Sequence, residues 1–147
     1  MDLSFTTRTQ DAISGAVRRA SRAGHAQVEP VHLLEGLLED RDGIAAALLA
    51  NLGVDHTALM AAVSSAISAI PSASGDTVAQ PSMSNAGYRV IAAAQDAARE
   101  RGDEYVSTEH LLLALAADRG DAGSLLRSHG DPSPATSLLH PQNERPR

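Results

Sequence analysis

Two histidines and a glutamate are the residues whose types and spacing could do chemistry. His32 and His110 lie 78 positions apart (110 − 32), each just after a predicted helix start. Paired imidazoles could bind a metal ion, but no acid or Cys stands at a ligand spacing beside them. We therefore interpret both as packed, hydrogen-bonded histidines. Glu109 and His110 could act as acid and base, yet adjacent helical residues do not face each other. We predict no catalytic residue, no metal site and no cofactor.

The composition excludes several classes of function. All 12 basic residues among the 147 are Arg, the net charge is −6, and there is no Cys. Without Lys there can be no P-loop, and without Cys there can be no disulfide or Cys-based zinc site. An acidic chain without a basic run is a poor candidate for binding nucleic acid. No signal peptide and no run of about 18 apolar residues is present, so we expect a cytoplasmic protein that does not bind membranes.

The two histidines belong to an internal repeat that accounts for most of the chain. Val28–Leu37 and Val106–Leu115 share a pattern at the same spacing of 78, and so do Gly24 and Gly102. The apolar residues are mainly Ala and Leu, a composition that suits close-packed helices better than sheets. We predict an all-α fold in which two tandem four-helix repeats, related by a pseudo-twofold axis, pack as one globular domain. A seam between the repeats is a natural groove for a partner.

Caps and glycines predict the helix boundaries. In the first repeat we expect helices over Thr7–Ala23, from Pro30, over a buried Ile44–Leu52, and from an Asp55 cap to about Ile70. Ser84 and Ser107 should cap the corresponding helices of the second repeat, which ends with a helix over Pro132–Leu139. The predicted organisation is a first repeat at 1–70, a connector without helical or strand period at 71–83, a second repeat at 84–139 and a disordered tail at 140–147. The remaining histidines, His25, His56, His129 and His140, are expected at the surface.

Three stretches of this sequence resemble a known family. The chain has Phe-Thr near its N-terminus, Glu-Pro-Val-His-Leu-Leu at 29–34 and Asp-Glu-Tyr-Val-Ser-Thr-Glu-His at 103–110. Together with the tandem repeat, they resemble the Clp N-terminal domain of Hsp100 AAA+ chaperones over about Leu3–Leu139. Within that family the sequence is most similar to the ClpB disaggregase branch.

The resemblance implies a binding domain without catalysis. Domains of this family capture unfolded or aggregated proteins, or dock adaptor proteins, and pass clients to an AAA+ ring. That ring would lie in the same chain, or in a separate one if this module stands alone. The resemblance places the client groove between the repeats and implies that it is lined by Thr6, Tyr88, Val90, Ile91 and Glu109.

Other functions and roles remain open at this stage. In the ClpC-like branch, paired acids bind phosphoarginine on clients; Glu109 matches one of them, but Val31 stands where the other would be. A regulatory module, a spacer or a self-association surface is the alternative of a different class. Thr6 could simply cap the first helix, and Glu109 could stabilise a helix N-terminus by roughly 0.3–1 kcal/mol.

Overall fold

Seven helices and four two-residue strands make up the described residues, 4–72 and 81–130, of this computed structural model. In chain order the elements are β1 (Ser4–Phe5), α1 (Thr7–Arg22), β2 (Gln27–Val28), α2 (Pro30–Glu39), α3 (Ile44–Asn51), α4 (His56–Ser68), β3 (Ser82–Met83), α5 (Asn85–Glu100), β4 (Tyr105–Val106), α6 (Thr108–Ala116) and α7 (Asp121–His129). The predicted all-α fold is confirmed. The helix predicted over Pro132–Leu139 lies outside the described residues.

Side-chain caps begin the first helix of each repeat. Thr6 Oγ1 accepts a hydrogen bond from the Thr9 N–H at 3.2 Å, and Ser84 Oγ accepts one from the Gly87 N–H at 3.0 Å. Thr6 and Ser84 are 78 positions apart, so the caps are equivalent in the two repeats. The capping role considered for Thr6 is confirmed.

Glycines end the same helices. Gly24 and Gly102 have φ angles of +75° and +73°, a left-handed conformation that strains residues with a Cβ. The expectation for the third helix is partly wrong, because Ile44 at its start is 45% exposed and Leu52 beyond its end is 38% exposed. A helix that is apolar on every side gives no sequence signal for which face turns inward.

Each short strand pairs with a strand of the other repeat. β1 runs parallel to β4, with Ser4 opposite Tyr105, and β2 runs parallel to β3, with Gln27 opposite Ser82. Each pair joins one repeat to the other, and the spacing of 78 converts one pair into the other. The two strand pairs are thus related to each other as a pseudo-twofold axis relates equivalent elements. The pairing also corrects one expectation, since Ser82–Met83, at the end of the predicted connector, forms a strand.

One hydrophobic core serves both repeats. α2 packs against α1 and α4 in its own repeat and against α5, α6 and α7 in the other, and α4 packs against α7. Leu33, Leu34, Leu111 and Leu112 are all at most 1% exposed. Their interpretation as core residues is confirmed, whereas Leu113 is half-buried. The two repeats therefore pack as one globular unit.

No helix in the described part of the chain is by itself long and apolar enough to span a membrane. The helices α3 and α4 pass that test of length and composition only as a pair, and the pair is bent by 115° at its break.

We expect Gly36→Ala to destabilise the fold, because a Cβ at Gly36 would overlap the backbone carbonyl oxygen of Ala12 where α2 crosses α1. Overpacking of this kind lowers the free energy of unfolding by about 1–3 kcal/mol. At Gly15 on α1, an added Cβ would meet only the ends of two long side chains, Arg19 at 3.1 Å and Arg18 at 3.7 Å. Gly15→Ala is therefore the matched control, expected to stabilise by up to about 1 kcal/mol through helix propensity. Urea denaturation measures both, and equal stability of the two variants would contradict the prediction.

Candidate functional site

Each of the two repeated histidines fixes the start of a helix. The Glu29 N–H donates to His32 Nδ1 at 2.8 Å, and the Ser107 N–H donates to His110 Nδ1 at 2.9 Å. The imidazoles thus bind backbone groups that a helix N-terminus otherwise leaves to solvent. Their interpretation as packed, hydrogen-bonded residues is confirmed. Among residues 4–72 and 81–130, no group of three or more acidic or histidine side chains could hold a metal ion.

The second ring nitrogen has a different partner in each repeat. His32 Nε2 lies 3.0 Å from His25 Nδ1, whereas His110 Nε2 lies 2.8 Å from Asp103 Oδ2. His25 and Asp103 are themselves 78 positions apart. The expectation that His25 is a surface residue is wrong, because its side chain is 3% exposed. Burial, and then the proximity of His25, lowers the pKa of His32 from 6.5 to about 4, so this imidazole is neutral at neutral pH.

A groove of about 810 Å³ lies between the repeats, and we call it the apolar groove. The start of α2 and the segment that follows α4 form one side, and α5, α6 and the turn into α7 form the other. Its apolar lining consists of Pro30, Val31, Ile70, Pro71, Ala86, Val90, Ala93, Ala114, Ala117 and Ala122. Its charged lining consists of Glu29, Arg89, Asp118, Arg119 and Asp121. Alanines of the second repeat, together with larger apolar side chains of the first, therefore give a broad apolar surface with charges among them.

A second groove, of about 570 Å³, lies between α1, α2 and the start of α6. Half of its lining is charged, and we call it the charged groove. It is lined by Thr7, Arg8, Asp11, Ala12, Gly15, Arg18, Arg19, Gly36, Leu37, Glu39, Asp40 and Thr108. Arg8 Nη1 donates to both carboxylate oxygens of Asp40, at 2.8 and 2.7 Å, and thereby connects α1 to the end of α2.

The structure does not bring the five predicted binding residues into one groove. Val90 lines the apolar groove and is 4% exposed. Tyr88 is 62% exposed and Ile91 packs against the core, and neither lines a groove described here. A role for Tyr88, Val90 and Ile91 in binding stays a prediction.

Thr6 and Glu109 lie beside the charged groove. Thr6 precedes Thr7, and Glu109 follows Thr108, and both of these neighbours line that groove. Glu109 is 8% exposed in the first turn of α6, where a carboxylate is favoured by the helix dipole. This position agrees with the interpretation that Glu109 stabilises a helix N-terminus. Contact of Glu109 with a client stays a prediction.

Sequence reasoning missed the alanines that line the apolar groove. Ala86 and Ala117 are the equivalents, 78 positions on, of Arg8 and Glu39. Aligning the two repeats position by position would have shown that the second repeat carries alanine where the first carries charge. A lone alanine carries no signal for binding, so only this comparison could have found the groove.

Comparison with known proteins places this geometry among helical repeat domains. Residues 4–129 match the family model described as the Clp repeat (R) N-terminal domain. The chain is 46% identical over 126 residues to chaperone protein ClpB of Propionibacterium freudenreichii, covering 86% of this chain and 14% of that protein. The chain thus spans only a small part of that relative's length.

Two solved structures share the fold. The Hsp104 N-terminal domain of Candida albicans superposes with a TM-score of 0.82 at 20% identity, covering 92% of this chain and 91% of that one. The ClpV N-domain in complex with a VipB peptide superposes with a TM-score of 0.70 at 17% identity, covering 92% of this chain and 85% of that one.

Proposed function

Because the chain belongs to the Clp repeat N-terminal domain family of Hsp100 chaperones, we propose that it captures apolar segments of unfolded or aggregated protein in the apolar groove. The family match covers residues 4–129, and the role we propose for them is binding, not catalysis. The proposed parent is a ClpB-type disaggregase of the cytoplasm, in which the AAA+ ring receives the captured client.

The observation that carries this proposal is the apolar groove itself. Each client side chain that becomes buried there contributes roughly 1.5–3 kcal/mol before the cost of ordering the chain is subtracted. Exposed Ala93 and Ala117 offer contact area without a deep, shape-selective pocket. Clients should therefore bind weakly and with little sequence preference, which suits a domain that must release what it captures.

The peptide complex of the ClpV N-domain supports the same mode of action, because a domain with this fold binds a polypeptide segment. Docking of adaptor proteins is a finer variant of the proposal and would use the same surface. Recognition of phosphoarginine is the less favoured alternative. Of the equivalent positions 31 and 109, only Glu109 carries an acid, and Val31 contributes to the apolar groove.

We expect Ala93→Asp to lower the affinity for an unfolded client at least about tenfold, since a carboxylate in the groove must lose water when an apolar segment covers it. Ala93 is exposed, so the substitution spares the core. Fluorescence anisotropy of a labelled, permanently unfolded protein titrated with the domain measures the affinity. Val90→Asp is a poorer choice, because buried Val90 belongs to the core.

Ala92→Asp is the matched control, since Ala92 is exposed on the same helix but does not line the groove. We expect it to bind as the wild type does. Thr6→Asp in the same assay tests the residues beside the charged groove. If Thr6→Asp abolished binding while Ala93→Asp had no effect, the client site would not be the apolar groove.

A further inference from the structure

The apolar and charged grooves occupy equivalent places in the two repeats. Eight of the twelve residues lining the charged groove have a counterpart, 78 positions away, that lines the apolar groove. Three of these pairs differ in charge: Arg8 and Ala86, Glu39 and Ala117, and Asp11 and Arg89, in which the sign reverses. The two grooves are therefore copies of one surface that differ in side-chain chemistry.

An ion pair crosses the charged groove from α1 to the end of α2. Arg8 reaches from the first turn of α1 to both carboxylate oxygens of Asp40, and Glu39 lies 3.3 Å from Arg19. In the apolar groove Ala86 stands in place of that arginine, so the equivalent ion pair is absent there. Asp118, the counterpart of Asp40, instead accepts the Gly120 N–H at 3.0 Å.

Charge decides what the first copy can accept. An apolar segment entering the charged groove would displace the water around Arg8, Asp40 and Glu39 without offering them hydrogen bonds, which is unfavourable. The side chain of Arg8 is 56% exposed, so its pairing with Asp40 contributes little to the stability of the fold. Stability alone therefore gives no reason for this pair.

We infer that the two grooves are two copies of one site for apolar chain, and that the Arg8–Asp40 ion pair with Glu39 keeps the first copy from binding. The domain then takes one apolar segment at a time. The inference rests on the proposed function, because it assigns the number and selectivity of the sites that perform it.

Reciprocal exchange of the equivalent residues tests the inference. Ala86→Arg places a guanidinium opposite Asp118 in the apolar groove, and it should lower affinity for a labelled, leucine-rich peptide of about ten residues at least about tenfold. Arg8→Ala with Glu39→Ala should raise the stoichiometry, measured by isothermal titration calorimetry, from one peptide per domain to two. Adding Ala93→Asp to that double variant should return the stoichiometry to one.

Arg22→Ala with Glu100→Ala is the control, because it removes the same two charges from exposed positions outside both grooves. It should bind one peptide with unchanged affinity. If circular dichroism shows that the double variant of Arg8 and Glu39 does not fold, Arg8→Met, which keeps most of the side-chain length, takes its place.

The inference is overturned if Ala86→Arg binds the peptide with the affinity of the wild type. It is also overturned if the variant with Arg8→Ala and Glu39→Ala folds but still binds only one peptide per domain. A different result would overturn the proposed function instead. In that case the wild-type domain would bind no peptide, or would bind it equally well after Ala93→Asp.

Discussion

Cutting the chain between its repeats is expected to give two fragments, 1–72 and 81–147, that do not fold separately. β1 of the first fragment pairs with β4 of the second, and β3 of the second pairs with β2 of the first. α2 and α4 bury their apolar faces against helices of the other fragment. Chains of about this length bury too little surface to be stable once half of their core is removed.

Circular dichroism and sedimentation measure the outcome. Each fragment should lose most of its helical signal, and an equimolar mixture should regain it as a one-to-one complex. As the control, the intact protein is cleaved between 72 and 81 after folding, which should leave its spectrum unchanged. A fragment that unfolds cooperatively as an isolated monomer would show that its repeat is an independent domain.

Lowering the pH from 7 to 4 is expected to remove about 3 kcal/mol of stability through His32 alone. Burial, followed by the neighbouring His25, lowers the pKa of His32 to about 4 in the folded protein, against 6.5 in an unfolded chain. Each pKa unit corresponds to about 1.4 kcal/mol. The stabilisation is fully present above pH 6.5 and is lost as the pH falls from 6.5 to about 4, because the unfolded chain binds the proton more readily.

The geometry explains why protonation is unfavourable. His32 Nδ1 accepts the Glu29 N–H, so its Nε2 carries the proton that faces His25 Nδ1. A second proton on His32 would lie on Nδ1, so that the Nδ1–H and the Glu29 N–H, both donors, would face each other. His32 is fully buried there. His25 is the titratable side chain whose charge acts on this ring, whereas in the second repeat the carboxylate of Asp103 faces His110 Nε2.

His25→Asp recreates in the first repeat the pairing found in the second. A carboxylate opposite Nε2 should raise the pKa of His32 and flatten the dependence of stability on pH between 7 and 4. Urea denaturation at several pH values, with the His32 ring titrated by NMR, measures both quantities. His56→Gln is the control, since the ring of His56 binds the Leu38 carbonyl away from this pair. Equal pH dependence in the wild type and His25→Asp would contradict the assignment.

Local signals predicted the helices well. The caps at Thr6, Asp55 and Ser84, and the proline that begins α2, act within one helical turn, so they can be read without knowing the fold. The strands could not be predicted in that way. A two-residue strand has no periodicity, and each of these exists because a distant segment lies beside it.

The environment of side chains was harder to predict than the helices. His25 follows a glycine in a polar stretch, which indicates a surface position, but α2 brings His32 against it. Likewise, the seam between the repeats predicted a groove. It did not predict that Thr6 and Glu109 would lie beside the charged groove and not the apolar groove. In both cases the missing information was a contact between residues that only the tertiary fold brings together.

The strands that pair between the repeats also bear on how the protein is made. At about 5–20 residues per second, a ribosome needs roughly 4–16 s to add the 78 residues that separate equivalent positions. For the first 55 of those residues (82 − 27) Gln27–Val28 has no β3 beside it, and for the whole interval Leu33 and Leu34 lack the second half of their core. A chaperone domain of this design thus emerges with unsatisfied apolar surface, and it completes its own folding only after nearly all of it has been translated.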